Sequence, residues 1–154
     1  MRKSSSGKWS WLWRWGPVLI QMAVIFGASS IPNVGALPGN ISDKTAHFAG
    51  YALLSVLALR AWAGGRIAGI SWRTALLAIA FASLYGASDE IHQLFVPGRS
   101  SDIADVAADV VGACAGAFGG LLVAVVAAWS AERRHAPTTT SAANTEDTKT
   151  GTTS

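Results

Sequence analysis

Residues 88–120 read SDEIHQLFVPGRSSDIADVAADVVGACAGAFGG and give the clearest indication of how the chain folds. Its first half is rich in ionisable and amide side chains, while its second half is almost wholly small and apolar. Proline disfavours the helical conformation in the residue before it, so Val96-Pro97-Gly98 predicts a turn between two helices. The polar groups therefore gather at the point where two apolar helices meet.

Composition favours a membrane protein. Hydrophobic residues make up 51% of the 154 residues and charged residues 14%, with a mean hydropathy of +0.35, whereas soluble domains carry about 25% charged residues. Seven tryptophans suit the membrane interface, and sixteen glycines let helices pack closely. The net charge of +3 does not indicate nucleic-acid binding, because the basic residues cluster at segment ends. The single Cys114 cannot form an internal disulfide.

Four apolar segments lie at about residues 11–30, 45–63, 71–95 and 103–129, each close to the roughly 20 residues that cross a bilayer. None shows the alternation of a membrane β-barrel. The sequence therefore predicts an all-α, polytopic membrane protein, a bundle of four transmembrane helices. The first segment, with its basic start, is also typical of a secretory signal. It is followed by no clear A-x-A site, and cleavage stays an alternative.

The basic residues predict the orientation of the bundle. They precede the first segment, flank the connection between the second and third, and follow the fourth, whereas the other two connections hold only Lys44 and Arg99. Both termini are therefore expected in the cytoplasm. We expect a basic cytoplasmic N-terminus at residues 1–10, the transmembrane domain at 11–130 and a disordered cytoplasmic tail at 131–154.

Helical spacing predicts that polar side chains from three segments converge on the outer side. Members of each set lie three, four or seven residues apart and so share one helix face. The sets are Lys44, His47 and Tyr51; Asp89, His92 and Gln93; and Asp102, Asp105 and Asp109. The third set continues as a stripe of glycines that lets another helix approach, and a homo-oligomer through this stripe is expected as one outcome. The stripe contains Gly112, Gly116 and Gly119 or Gly120.

Several of these residues also have structural explanations. Asp43 and Asp102 stand where they would cap the second and fourth helices. Asp109 lies about two turns into the fourth helix, beyond useful reach of the N-terminal dipole, and should face protein or water. Arg99 is either a salt-bridge partner or a bidentate anchor for an anionic ligand.

A specific chemistry is less clearly indicated. A histidine beside a carboxylate would make an acid–base pair, since histidine titrates near neutrality. The catalytic candidates are Asp89, Glu90, His47 and His92. The sequence has no HExxH or paired CxxC motif, and ligands would have to come from different helices, so we expect no metal site and no cofactor. No nucleophile motif or Gly-rich phosphate loop is present.

Two motifs resemble those of the VanZ-like family of small bacterial membrane proteins, which includes the accessory teicoplanin-resistance protein. DKTAHFAGYALLS at 43–55 is similar to the pattern D-K-x-x-H-F-x-x-Y. SDEIHQLFVPGRSSDIADVAADVVGACAG at 88–116 is similar to D-E-x-x-Q-x-F-x-x-x-R-x-x-x-x-x-D-x-x-x-N-x-x-G. The family asparagine is replaced by Asp109, which can add a negative charge. The signature residues are Asp43, Lys44, His47, Phe48, Tyr51, Asp89, Glu90, Gln93, Phe95, Arg99, Asp105 and Gly112.

The resemblance covers roughly residues 15–130 and implies a multi-pass protein of the bacterial plasma membrane. Three functions stay open. The first is a module of the cell envelope that binds a lipid, a lipid-linked cell-wall precursor or a lipoglycopeptide at the outer interface, with a role in teicoplanin-type resistance as one form of it. The second is an acid–base enzyme acting on an anionic lipid-linked substrate, and the third is a small proton-linked transporter. The candidate binding residues are Lys44, His47, Tyr51, Asp89, Glu90, Gln93, Arg99, Asp105 and Asp109.

Overall fold

Four α-helices make up the part of the protein that the structure describes. The computed structural model describes residues 6–32 and 42–135, and no strand occurs within these ranges. The helices are α1 at Ser6–Ser29, α2 at Asp43–Trp62, α3 at Trp72–Gln93 and α4 at Ile103–His135, with a short 3₁₀ helix at Ile67–Gly69. The predicted all-α, four-helix architecture is confirmed. Because α4 continues to His135, residues 131–135 of the predicted tail are helical, while the rest of that tail lies outside the described residues.

Capping side chains explain where the middle helices begin. Ser42 Oγ accepts a hydrogen bond from the Thr45 N–H at 3.2 Å, so Ser42 caps α2 and the predicted cap at Asp43 is wrong. Asp43 instead lies in the first turn, where its negative charge suits the helix dipole. Ser71 and Thr74 form a capping box that begins α3.

The predicted turn between α3 and α4 is confirmed. The Arg99 N–H donates to the Val96 carbonyl at 3.1 Å, and Gly98 has a φ of +77°, a conformation that favours glycine. Asp102 Oδ1 accepts from the Ala104 N–H at 2.9 Å, which confirms that Asp102 caps α4.

Contacts between helix ends show that the helices run alternately up and down. Arg60, near the end of α2, donates to the Trp13 carbonyl near the start of α1 at 3.1 Å. Lys44, at the start of α2, reaches Asp102, just before α4, at 2.8 Å. One end of the bundle therefore holds the ends of α1 and α3 and the beginnings of α2 and α4.

Small residues allow the closest packing, which is between α2 and α4. A Cβ added at Gly112 would collide with the Phe48 carbonyl oxygen, and one at Gly116 with the Ala52 carbonyl oxygen. These glycines are required because the backbone of α2 occupies the space of a side chain. Within the chain, α2 covers Gly112 and Gly116, and Leu59 lies against Gly120. The homo-oligomer through this stripe stays a prediction.

One of the described helices is long and apolar enough to cross a membrane on length and composition, at Ile103–Arg134. Large apolar side chains nevertheless face outward on all four helices. Examples, each about half exposed or more, are Ile20, Val24, Leu53, Leu76, Leu84, Val111, Phe118 and Leu122. That all four helices cross the membrane stays a prediction. An outer surface of large apolar side chains is what such a crossing requires.

Candidate functional site

The predicted polar residues meet at the end of the bundle where α1 and α3 end and α2 and α4 begin. This acidic end comprises Ser29, Asp43, Lys44, His47, Tyr51, Asp89, Glu90, Gln93, Arg99, Asp102, Asp105 and Asp109. Four carboxylates and an amide are at most 5% exposed, namely Asp89, Glu90, Gln93, Asp105 and Asp109. Buried carboxylates are costly unless they are paired, so their partners decide what this end can do.

His47 of α2 and Asp109 of α4 form a buried pair. Nδ1 of His47 lies 2.9 Å from Oδ1 of Asp109, and the other ring nitrogen lies 4.0 Å from the Asp43 carboxylate. Oδ2 of Asp109 is buried and has no hydrogen-bond partner among the described residues. Gly86 of α3 makes room for it, because a Cβ at that position would lie 2.6 Å from Oδ2.

Gln93 joins the two adjacent acidic residues of α3. Its Nε2 donates to Asp89 Oδ2 at 3.2 Å and to Glu90 Oε1 at 3.3 Å. The second oxygen of Asp89 accepts from Ser29 Oγ of α1 at 2.5 Å. The second oxygen of Glu90 accepts from the Asp102 N–H at 3.0 Å. The two carboxylates thus tie α3 to α1 and to the start of α4, through neutral donors.

Arg99 fastens the end of α1 to the turn after α3. Its Nη2 donates to the Ala28 carbonyl at 3.0 Å and its Nε to the Ile31 carbonyl at 3.3 Å. Nη1 donates to Gln93 Oε1 at 3.4 Å and lies 3.9 Å from the Asp43 carboxylate. Of the two predicted roles, the structure shows a long ion pair together with carbonyl contacts, and these occupy much of the guanidinium that an anionic ligand would need.

Lys44 lies at the rim of the acidic end. Its Nζ donates to Asp102 Oδ2 at 2.8 Å and to Asp105 Oδ1 at 3.2 Å, which joins the starts of α2 and α4. The hydrogen bonds to Asp102 and Asp105 raise the pKa of Lys44. The hydrogen bond from Lys44, with a smaller contribution from the Ala104 N–H, lowers the pKa of Asp102. Lys44 therefore holds two helices together and does not enter the buried interior.

The structure does not bring His92 into this cluster. Its Nε2 lies 3.0 Å from Ser30 Oγ, and its ring stacks on Phe26 with 4.5 Å between ring centroids. The three-residue spacing from Asp89 carries the histidine ring onto α1, whereas Asp89 and Gln93 are buried. Of the two candidate histidines, only His47 lies beside the buried carboxylates of α4.

A cavity of about 150 Å³ lies between α1, α2 and α3 beside the cluster. Its wall surface is almost wholly apolar, and ionisable residues of the acidic end border it on one side. The apolar part includes Ile25, Ala28, Ile31 and Ala46, and the polar part includes Asp43, His47, Tyr51, Asp89, Gln93 and Arg99. The Tyr51 side chain is buried, its ring lies nearly parallel to that of His47 at 6.2 Å, and its hydroxyl has no partner within the described ranges.

Two groups of three side chains could hold a metal ion. Each group brings one ligand atom from every residue to within 4.8 Å of the others. The groups are Asp43, His47 and Asp105, and His47, Glu90 and Asp109. Sequence analysis predicted no metal site because the ligands come from two or three different helices and form no local motif.

Sequence reasoning also missed Ser29 and Gly86. Ser29 satisfies Asp89, and Gly86 gives Asp109 its space. A signal for Gly86 was present, because small buried residues recur every three or four positions along α3, at Ala75, Ala78, Ala82 and Gly86, and lead directly to the buried acidic residues. No comparable signal singles out Ser29.

The fold and the buried polar end define an all-helical protein that brings carboxylates from several helices to one end of a bundle. A family model described as VanZ/LLP1 matches residues 7–126, and the chain belongs to this family. The resemblance found in the two sequence motifs is thereby confirmed. No curated protein and no solved structure matches the chain. Family membership and the apolar helix α4 together indicate a membrane protein.

Proposed function

We propose that this VanZ-family protein is a four-span module of the bacterial plasma membrane that binds the polar head of an amphiphile at the outer interface. The observation that carries the proposal is the cavity beside the acidic end, which combines an apolar wall with ionisable groups. Such a cavity suits a molecule that has both a hydrocarbon chain and a polar head. The outward-facing apolar side chains on all four helices support the membrane setting.

The charges around the cavity favour a particular kind of head group. Asp43 contributes a half-exposed carboxylate, while Asp89 is already engaged by Ser29 and Gln93, and Arg99 by the Ala28 and Ile31 carbonyls. A head group rich in amine or hydroxyl donors therefore fits better than a bare anion. Lipid-linked cell-wall precursors and acylated glycopeptides such as teicoplanin combine such donors with an apolar chain, and the proposal covers both.

The first experiment measures teicoplanin and vancomycin susceptibility in a sensitive bacterium that expresses the chain at fixed membrane abundance. Glu90→Gln and Arg99→Gln alter the acidic end, and Glu132→Gln and Arg60→Gln are matched controls at the opposite end. We expect protection against teicoplanin that is lost in the first two variants and kept in the controls. Equal protection by all four variants would show that the acidic end has no part in the effect.

A second experiment separates the cavity from the polar network. Ala46 lines the cavity, and Ala49 is an exposed residue of the same helix. Ala46→Leu should abolish protection and binding of a fluorescent acylated glycopeptide to the purified protein, while Ala49→Leu should leave both unchanged. Full binding by a well-folded Ala46→Leu variant would exclude this cavity as the binding site.

The His47–Asp109 pair favours acid–base catalysis as a second candidate function. A histidine 2.9 Å from a buried carboxylate is an arrangement that general bases use. If the chain is such an enzyme, purified protein should convert a lipid-linked precursor to a product detectable by mass spectrometry, and Asp109→Asn should abolish conversion. Recovery of the unchanged precursor after prolonged incubation with wild-type protein would argue for binding alone.

A further inference from the structure

Three side chains from three different helices meet in the interior of the acidic end. His47 comes from α2, Glu90 from α3 and Asp109 from α4, and each offers a ligand atom within 4.8 Å of the other two. Glu90 is 3% exposed and Asp109 is 0% exposed. One imidazole nitrogen and two carboxylate oxygens form a donor set typical of zinc and related divalent ions.

The negative charges of Glu90 and Asp109 are not matched by nearby lysine or arginine side chains among the residues that the structure describes. The two cations of the acidic end are engaged elsewhere, because Lys44 pairs with Asp102 and Asp105, and Arg99 contacts carbonyls and Gln93. Among the described residues, no lysine or arginine forms an ion pair with Glu90 or Asp109. Even a protonated His47 would leave one negative charge uncompensated, whereas a divalent ion beside a neutral His47 would cancel both.

A second observation is independent of this charge count. Oδ2 of Asp109 is buried and makes no hydrogen bond within the described part of the chain. A buried carboxylate oxygen without a partner is costly, so an ion there would satisfy an existing need. Gly86 leaves the space beside this oxygen free of a Cβ. The Tyr51 hydroxyl, which is also buried without a partner in the described structure, offers a nearby group for a bound water.

We propose that His47, Glu90 and Asp109 bind a divalent transition-metal ion, with Zn²⁺ as the best match. His47 Nδ1 and Asp109 Oδ1 lie 2.9 Å apart, which is a hydrogen-bond distance, whereas neighbouring ligands of a tetrahedral zinc ion with bonds of about 2.0–2.2 Å lie about 3.3–3.6 Å apart. Binding therefore requires this pair to open by about half an ångström and His47 to lose the proton it shares with Asp109. The alternative group with Asp43 and Asp105 is weaker, since Lys44 holds Asp105 and Asp43 is half exposed. This inference does not depend on the identity of the amphiphile.

The position of the site gives the ion a function. His47 lines the cavity as well as the metal group, so the ion would lie at the inner wall of the cavity. A divalent ion there supplies a Lewis acid and a positive charge that the occupied Arg99 does not. It also joins α2, α3 and α4, and binding should therefore stabilise the folded protein.

The test titrates ZnCl₂ into the purified, chelator-stripped full chain in detergent, with calorimetry and thermal unfolding as readouts. We expect one Zn²⁺ per chain and a higher unfolding temperature on binding. His47→Ala, Glu90→Gln and Asp109→Asn should each weaken binding by about 100-fold or more, since even groups behind the ligands contribute about 10- to 100-fold. The controls His92→Ala and Glu132→Gln, the second at the opposite end of the bundle, should keep the wild-type affinity within about threefold.

Three outcomes would overturn the proposal. The first is the absence of stoichiometric binding by the wild-type protein, and the second is a loss of binding in His92→Ala as large as that in His47→Ala. In the third, Asp43→Asn would abolish binding while the nearly isosteric Glu90→Gln, shown to be folded by circular dichroism, keeps it. Loss of teicoplanin protection does not enter this test, so the metal site and the proposed function can fail separately.

Discussion

The two ends of the bundle carry charge in opposite ways. At the basic end, where α1 and α3 begin and α2 and α4 end, arginines lie against tryptophan rings. The Arg60, Arg73 and Arg133 guanidinium carbons are 5.5, 5.5 and 3.7 Å from the ring centroids of Trp13, Trp72 and Trp129. At the acidic end, carboxylates are buried and bridge helices. Arginine and tryptophan side chains at a membrane interface orient a protein at little cost in free energy, because their charged or polar atoms stay in water. Buried carboxylates cost free energy unless specific partners satisfy them, and they therefore indicate a functional site.

The largest expected loss of unfolding free energy comes from a substitution that forces α4 away from α2 next to the acidic end. A Cβ in Gly112→Ala would meet the Phe48 backbone, which cannot rotate away, while Gly119 has nothing within 4 Å of an added Cβ. Gly112→Ala should lower the free energy of unfolding by about 3 kcal/mol, and Gly119→Ala should be neutral or stabilising. Denaturant unfolding in detergent measures both. Equal stabilities would contradict the close α2–α4 packing.

The next effect contrasts a glycine at each end. In Gly86→Ala the new methyl group would displace the Asp109 carboxylate and break its contact with His47, whereas Gly16 in α1 has open space around it. Gly86→Ala should cost about 1–3 kcal/mol of unfolding free energy and weaken Zn²⁺ binding. Gly16→Ala should be neutral or stabilising and should leave Zn²⁺ binding unchanged. If the two variants behave alike, the buried position assigned to Asp109 is wrong.

These glycines also show what the sequence could predict. The helices, the turn at Pro97-Gly98 and the inward face shared by Asp105 and Asp109 all follow from local periodicity, and the structure contains them. Local periodicity does not say which partner each side chain of a face will meet. Asp89 and His92 share a face and both contact the end of α1, at Ser29 and Ser30, but His92 stacks on Phe26 outside the carboxylate cluster.

The partners of the buried carboxylates could not be predicted from the sequence either. Ser29 reaches Asp89 across sixty residues of chain, and the unpartnered oxygen of Asp109 is visible only once α3 is packed beside it. Lys44 was correctly placed near the carboxylates, but its exposed position at the rim depends on how α2 and α4 approach each other. Contacts between helices are set by tertiary packing, and one sequence does not encode them in local spacing.

A smaller loss of unfolding free energy is expected from substitutions of the arginines, and it should differ between the two ends. Arg99 makes three hydrogen bonds, two to carbonyls at the end of α1 and one to Gln93 of α3, while Arg60 makes one carbonyl contact and lies over Trp13. Arg99→Lys cannot reproduce the planar fork and should cost about 1–3 kcal/mol of unfolding free energy. Arg60→Lys should cost about 0.5 kcal/mol or less. A larger loss for Arg60→Lys would reverse the comparison.

The smallest effect belongs to the Lys44–Asp102 pair, because both side chains are about half exposed. Folding lowers the pKa of Asp102 below 3.8, so its carboxylate stabilises the fold above about pH 4, and this contribution is lost as the pH falls through the lowered pKa. Asp102→Asn should therefore unfold slightly below the wild-type temperature at pH 7 and match it in strong acid. The control Glu132→Gln should have the wild-type unfolding temperature at pH 7 and in strong acid. If Asp102→Asn still unfolds below wild type in strong acid, the stabilisation does not come from the ionised Asp102 carboxylate.

The proposed four-span topology places the acidic and basic ends on opposite sides of the membrane. Single cysteines at Ser101, Arg66 and Glu132, introduced in a Cys114→Ala background, place one probe near the acidic end and two near the basic end. A membrane-impermeant thiol reagent applied to intact cells should label Ser101→Cys, and should label Arg66→Cys and Glu132→Cys only after permeabilisation. Labelling of Ser101→Cys and Arg66→Cys from the same side would contradict the account, because α3 would then not cross the membrane.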